Sequence, residues 1–258
     1  SFGQEFLDLV TVQGQMLMNF SESLQNAGLQ DGEILTAIVR QVKLTASGRA
    51  FALWSCGGNK VITWGSPDFG GDNSKVQHLF KDVQDVKATL AAFCAILFDG
   101  SVVTWGDTGP DADWGGDSSA VKDRLKKVRG VESSTAAFAA ILEDGSVVSW
   151  GSDEFGSDSS QVQDQLHDVN SIAATEAAFA ATRADGSVVT WGDPDFGGDS
   201  SKVQSELKNV KQIRSTEMAF AAILADGDVI TWGHKDFGGD SSHVKSQLKN
   251  VKEVHGTA

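Results

Sequence analysis

Little in this sequence can serve chemistry at a fixed reactive centre. Two cysteines, Cys56 and Cys94, are all it holds, which excludes a disulfide framework. They fall in corresponding hairpins of neighbouring repeats, where small buried thiols are the expected reading. No run of 18 apolar residues occurs, so no helix is expected to span a bilayer. Basic residues are few beside acidic ones, 21 against 35, for a formal net charge of −14 and a pI near 4.6. A polyphosphate ligand needs a clustered basic surface. The Lys and Arg here are scattered among more numerous carboxylates, which excludes nucleic acid and disfavours an anionic membrane surface. Ser1 to Gln15 lack the basic flank and apolar stretch of a secretory signal. A start at Ser1 and not Met fits a processed or partial product, and the compartment stays open, with cytoplasm and chloroplast as the two candidates.

The familiar catalytic arrangements are missing too. The five histidines, His78, His167, His234, His243 and His255, fall in different segments at no metal-ligand spacing. Surface placement is expected for them. No Gly-x-Ser-x-Gly elbow, Walker-type loop or dinucleotide fingerprint occurs. Catalytic sites are asymmetric, whereas every conspicuous polar residue here recurs copy after copy, so the chain reads as a non-enzyme.

What the chain does have is a period. Trp-Gly recurs at Trp64, Trp105, Trp150, Trp191 and Trp232, with spacings of 41, 45, 41 and 41. Four extra residues in the loop Asp107 to Asp113 account for the odd spacing. Phe93, Phe138, Phe179 and Phe220 each precede their Trp by 12 residues, and Phe51 precedes Trp64 by 13. Within a unit, Ala219 to Leu224 runs through Asp226-Gly227 into Val229 to Trp232. Two β-prone runs joined by Asp-Gly predict a hairpin. A further short strand such as Val210 to Thr216 precedes each hairpin, giving three strands per unit. After Trp-Gly comes a Gly-rich loop, then Asp-Ser-Ser, then apolar residues at i, i+4 and i+7, as in Val203, Leu207 and Val210. That spacing predicts a helix of about two turns, capped by the Asp and Ser before it.

A three-stranded unit cannot cover both faces of its own sheet, and stacking repeats supplies the cover. The expected fold is mainly β: a five-repeat β-propeller or open propeller-like array over 39–258, with three strands and one short helix per repeat. A closed ring of five blades is the first expectation. The leading strand, however, occurs six times, counting Val39 to Thr45 and Val251 to Thr257, for only five hairpins, which keeps an open arc as the alternative.

The stretch Leu142 to Gly156, with its Asp144-Gly145 turn and Trp150-Gly151, resembles the blade signature of the regulator of chromosome condensation family. The resemblance covers Val39 to Ala258 and implies propeller blades. These units are shorter than that family's, and a helix stands in place of one strand. Exchange activity on a small GTPase is not carried over, because the loops it depends on cannot be located. Neither is ultraviolet sensing, which in this family needs Arg beside clustered Trp. Ahead of the repeats, Leu7 to Val10, a turn at Gln13-Gly14, Ser23 to Gly32 and the strand Ile34 to Val39 resemble the second half of a ubiquitin-like fold. Residues 1–38 are therefore expected to form a partial ubiquitin-like or capping segment. With no terminal Gly-Gly, conjugation is not implied.

Two constellations are candidate sites. The inserted loop carries Asp107, Pro110, Asp111, Asp113 and Trp114. Loops held by a rigid scaffold carry function, and an exposed Trp114 beside Pro110 is the expected interface anchor. The second is acidic: Asp68 and Asp72, Asp113 and Asp117, Glu154 and Asp158, Asp195 and Asp199, Asp236 and Asp240 stand four residues apart in successive loops. Clustered oxygens on a loop suit calcium, but the expected role of the second Asp is to cap the helix and of the first to make a turn. The leading functional expectation is a protein-protein interaction or assembly scaffold whose acidic surface meets a basic or mixed-charge protein partner. The alternatives are a lectin-like or calcium-linked binder with one site per repeat, and a soluble peripheral subunit of a large photosynthetic membrane complex, which the likeness to shortened repeats of algal proteins implies. No cofactor other than calcium is expected.

Overall fold

The computed structural model describes residues 7–11, 16–17, 34–39, 41–108 and 113–256. Strands β1 (Leu7–Thr11), β2 (Met16–Leu17) and β3 (Leu35–Val39) form one antiparallel sheet in the order β2-β1-β3. The turn at Gln13-Gly14 and the segment Ser23 to Gly32 lie outside the described residues.

Five three-stranded antiparallel sheets follow, each in sequence order. The first holds β4 (Val42–Ala46), β5 (Ala50–Ser55) and β6 (Ile62–Gly65); the second β7 (Val83–Ala88), β8 (Ala92–Leu97) and β9 (Val102–Gly106). The third holds β10 (Val128–Ser133), β11 (Ala137–Leu142) and β12 (Val147–Gly151). The fourth holds β13 (Val169–Ala174), β14 (Ala178–Arg183) and β15 (Val188–Gly192), and the fifth β16 (Val210–Ser215), β17 (Ala219–Leu224) and β18 (Val229–Gly233). Each sheet is one blade of a propeller-like array. The hairpin turns behave as their chemistry demands. Gly100, Gly145, Gly186 and Gly227 sit at φ 78 to 86°, where only glycine is at ease, and the preceding Asp99, Asp144 and Asp185 accept the backbone N–H two residues on at 2.9 Å.

The short helix of each unit differs from expectation in kind. It is a 3-10 helix at Gln77–Leu79, Ser119–Val121, Gln163–Gln165 and Ser242–Gln247, and a run of hydrogen-bonded turns in the fourth blade. Its bonds are short-range, such as Leu79 N–H to the Val76 carbonyl at 2.9 Å. Two turns are too few to sustain an α-helix. Each segment is also stopped by a residue forced left-handed before the next leading strand: Asp82, Lys127, Asp168, Asn209 and Asn250, at φ 48 to 57°. The apolar spacing keeps its meaning, since Leu207 and Val210 still enter the core.

The core lies between blades. Among the described residues four clusters are found, each joining one blade to the next: the first and second around Trp54, Val83 and Phe93, the second and third around Ile96 and Phe138, the third and fourth around Ile141 and Phe179, the fourth and fifth around Val188 and Phe220. Alanines at Ala92, Ala137 and Ala178 let the sheets approach closely, and one Phe on one Trp fills each gap. The rings stack across the hairpin at 5.1 to 5.3 Å in blades two to five.

The array is open between its fifth and first blades. Val42 and Leu44 on β4, and Phe51 and Trp64 beside them, are exposed, as they would not be against a closing blade. A leading strand differs there too: β7, β10, β13 and β16 each carry a register shift near their start, and β4 does not. The sixth leading segment, described over 251–256, forms no strand. It runs beside the end of β16, with Val254 to Gly256 next to Arg214 to Thr216.

Candidate functional site: the interblade loops

Each blade's last strand ends in a glycine, from which a loop turns back across the edge of the array. In four blades this loop opens with a single 3-10 turn: Pro67–Phe69, Asp153–Phe155, Pro194–Phe196 and Lys235–Phe237. A left-handed glycine ends it. A threonine or serine ahead of each hairpin fixes the loop from beneath. Thr89, Ser134, Thr175 and Thr216 donate to the carbonyls of Trp114, Phe155, Phe196 and Phe237 at 2.8 to 2.9 Å. The indole of the next blade fixes it from the side. Trp105, Trp150, Trp191 and Trp232 donate through Nε1 to the carbonyls of Gly70, Gly115, Gly156 and Gly197 at 3.0 to 3.1 Å. The loops of the second, third and fourth blades are therefore held by partners on both sides.

The acidic residues are spread over this frame. The second carboxylate of each pair accepts a backbone N–H two residues on: Asp72 from Ser74, Asp117 from Ser119, Asp158 from Ser160, Asp199 from Ser201 and Asp240 from Ser242, at 2.8 to 2.9 Å. Backbone hydrogen bonds, aided by the serine hydroxyls, hold Asp72, Asp199 and Asp240 below the ordinary carboxylate range. For Asp158 the Ser160 hydroxyl is the larger cause. Asp113 accepts the Gly115 N–H at 2.9 Å, while Asp68, Glu154, Asp195 and Asp236 are exposed. Among the described residues no three carboxylates, histidines or cysteines come together as a metal-binding group.

In the inserted loop, Asp107 and Asp113 are described, and Pro110 and Asp111 lie outside the described residues. Trp114 is half-buried and not exposed as expected. It takes the place that Phe69, Phe155, Phe196 and Phe237 hold in the other loops, packs on the core between the second and third blades, and lies 6.2 Å from the Phe155 ring. Its position after the insertion disguises it as an extra residue. Cys94 is buried in β8, and burial pushes its thiol up. Cys56 corrects the other half of that expectation: it is exposed, because it sits in the turn after β5 and not in the strand. His78, His167, His243 and His255 are exposed, whereas His234 is half-buried and its Nδ1 accepts the Asp236 N–H at 3.3 Å. That capping role was legible only by aligning His234 with Asp193 one repeat earlier, whose carboxylate accepts the Asp195 N–H at 2.8 Å.

A groove of about 820 Å³ opens between the loops of the third and fourth blades. Asp153, Glu154, Asp158, Asp193 and Asp199 line it, over a floor that includes Trp191 and Val189, and no Lys or Arg does. Sequence reasoning singled out Glu154, Asp158 and Asp199 but treated each loop as a separate site. The groove belongs to two loops one repeat apart.

No protein-family model matches the chain, and no curated protein matches it. Solved structures do. The chain is similar to yeast RCC1 (Prp20) in its crystal structure with Kap60, at 16% identity and a TM-score of 0.51, over 88% of this chain and 64% of that one. It is also similar to human WBSCR16, at 16% identity and a TM-score of 0.47, over 78% and 63%, and to the ectodomain of the Arabidopsis thaliana receptor kinase ACR4, at 14% and 0.46, over 85% and 68%. The chain thus spans less than two thirds of the first and second of these. The likeness to the yeast protein shows the fold: the repeats form RCC1-like β-propeller blades.

Proposed function

We propose that this array is a non-enzymatic interaction scaffold, and that the groove between its third and fourth blades receives a basic segment of a protein partner. The observation that carries this reading is the one-sided lining, five carboxylates and no cation, on loops whose Gly156 and Gly197 carbonyls are held by indole hydrogen bonds. A rigid acidic groove desolvates a lysine or arginine without first having to order itself, and its field steers a cationic segment inward. The yeast protein of similar fold was crystallised with a protein partner, Kap60, which fits such a use of the scaffold. The insertion between Asp107 and Trp114 breaks the repeat, and we assign it a second contact with the partner.

The test is a calorimetric titration with a short arginine- and lysine-rich peptide at low and at physiological salt. Affinity is expected to fall as salt screens the groove. Replacing one exposed lining carboxylate and one exposed lining amide by lysine together, Glu154→Lys with Gln161→Lys, is expected to weaken binding at least about tenfold without moving the melting temperature. Equal binding by this variant would remove the groove from the interaction.

A further inference from the structure

The two ends of the array are complementary. In blades two to five, one face of each hairpin meets the preceding blade, and it carries a Phe and a Trp: Phe93 and Trp105, Phe138 and Trp150, Phe179 and Trp191, Phe220 and Trp232. Those phenylalanines are at most 1% exposed and those tryptophans at most 5%. The matching face of the first blade carries Phe51, Leu53, Ile62 and Trp64. Phe51 is 40% exposed and Trp64 44%, although their rings stack at 5.4 Å as in every other blade. End repeats of stacked arrays are ordinarily polar on the outside. This one presents an apolar face already shaped for a neighbour, extended by exposed Val42 and Leu44.

The fifth blade presents the other half. A Cβ on Gly70, Gly115, Gly156 or Gly197 would stand 2.5 to 3.0 Å from the ring of the next blade's Phe, so closely does each ring seat on its glycine. A Cβ on Gly238 would meet nothing within 4 Å. The Gly238 carbonyl, unlike its four counterparts, receives no indole N–H among the described residues. Phe237 is exposed where Phe69 and Phe196 are packed against the following blade. An apolar cavity of about 190 Å³ lies at this point, lined by Phe237, Gly238, Thr216, Phe220, Ala221 and Val254. It marks the place of the ring that the next blade would insert.

We infer that a second copy of this chain docks head to tail, its first blade seating on the fifth blade of its neighbour as each blade seats on the one before it. Phe51 enters the cavity, and the Trp64 indole donates to the Gly238 carbonyl. The interface is continuous with the four already built into the chain and uses the same stacked Phe–Trp pair, Phe51 opposite Trp64, that fills each of them. The stretch 251–256, which forms no strand, is pushed aside by the incoming β4. Because the two surfaces differ, the contact is heterologous and leaves a free head and a free tail on every assembly.

Sedimentation of the full chain over about a hundredfold range of concentration, at moderate salt to screen the net negative charge, is expected to show mass rising without a fixed end point. Phe51→Asp with Trp64→Ser blocks the head, and Ala221→Arg or Phe237→Asp blocks the tail. All four residues are at least partly exposed, so each variant is expected to keep the parent's melting temperature. Each alone is expected to be monomeric, and an equimolar mixture of head-blocked and tail-blocked chains to give a 1:1 dimer and nothing larger. A monomeric parent chain would overturn the inference. So would a tail-blocked chain that still dimerises with itself, since that is a head-to-head contact.

Discussion

At the residue scale, the tryptophans do two jobs at once. The indoles of Trp105, Trp150, Trp191 and Trp232 each fill an interblade gap and donate one buried hydrogen bond across it. Trp191→Phe keeps most of the volume but leaves the Gly156 carbonyl without its donor. It is expected to cost about 2–4 kcal/mol in urea unfolding, since an orphaned buried acceptor adds to the lost packing. Lys127 is a local fault of the opposite kind. It holds a left-handed conformation at φ 57°, where Asp or Asn stands in the other four copies, and its ion pair with Glu143 is exposed and contributes little. Lys127→Asn is expected to raise stability by about 0.5–1 kcal/mol in the same assay. The turn aspartates give a pH dependence. Asp144 and Asp185 are held below the ordinary range, first by the hydroxyls of Ser146 and Ser187 and then by the backbone. A lowered carboxyl favours the fold above its unfolded pKa near 4 and loses that support as pH falls through the folded value. Ser146→Ala with Ser187→Ala is therefore expected to move the acid unfolding midpoint, followed by circular dichroism, to higher pH. At this scale the sequence spoke unevenly. The Trp-Gly pairs were plain, but the acceptor of each indole lies 35 residues back in another unit, and no local pattern links the two. Trp114 and His234 were misplaced for the same reason: their roles are set by alignment between copies and not by their neighbours in the chain.

At the scale of elements, strands and turns were legible because both are local. Asp-Gly forces a reversal, and β-prone runs on either side pair in the only register the turn allows. The helix was legible in position and in its buried face but not in type. The balance between α and 3-10 over six residues depends on the stop residue and the sheet beneath, which periodicity does not encode. The groove was invisible for a further reason, being made of two loops that meet only after blades stack. The insertion is the element most open to test. Removing residues 109–112 leaves Asp107, Thr108, Asp113 and Trp114 aligned with Ser66, Pro67, Asp68 and Phe69 of the first blade, an ordinary loop. The shortened chain is expected to melt within about 2 °C of the parent, since surface loop length costs little, and to bind the partner recovered from native extract more weakly. Undiminished capture would return the insertion to the role of a spacer.

At the scale of the whole molecule, five blades share four cores, so stability is a sum over neighbours and not the property of one interior. The end blades have one such neighbour each. Hydrogen exchange is expected to be slowest in β11 and β14 and faster in β5 and β17, with protection graded toward the ends; uniform protection across all five blades would mean a cooperativity that these contacts do not supply. The indole bonds carry one more consequence. Trp105, Trp150, Trp191 and Trp232 each take their acceptor from the unit before, and Gly70, Gly115, Gly156 and Gly197 each offer one to the unit after, so the array has a polarity like that of a polymer with distinct ends. A unit copied at the C-terminal end finds its acceptor waiting, which makes growth by duplication cheap and gives the chain a grammar in which length can vary while the rule of attachment stays the same.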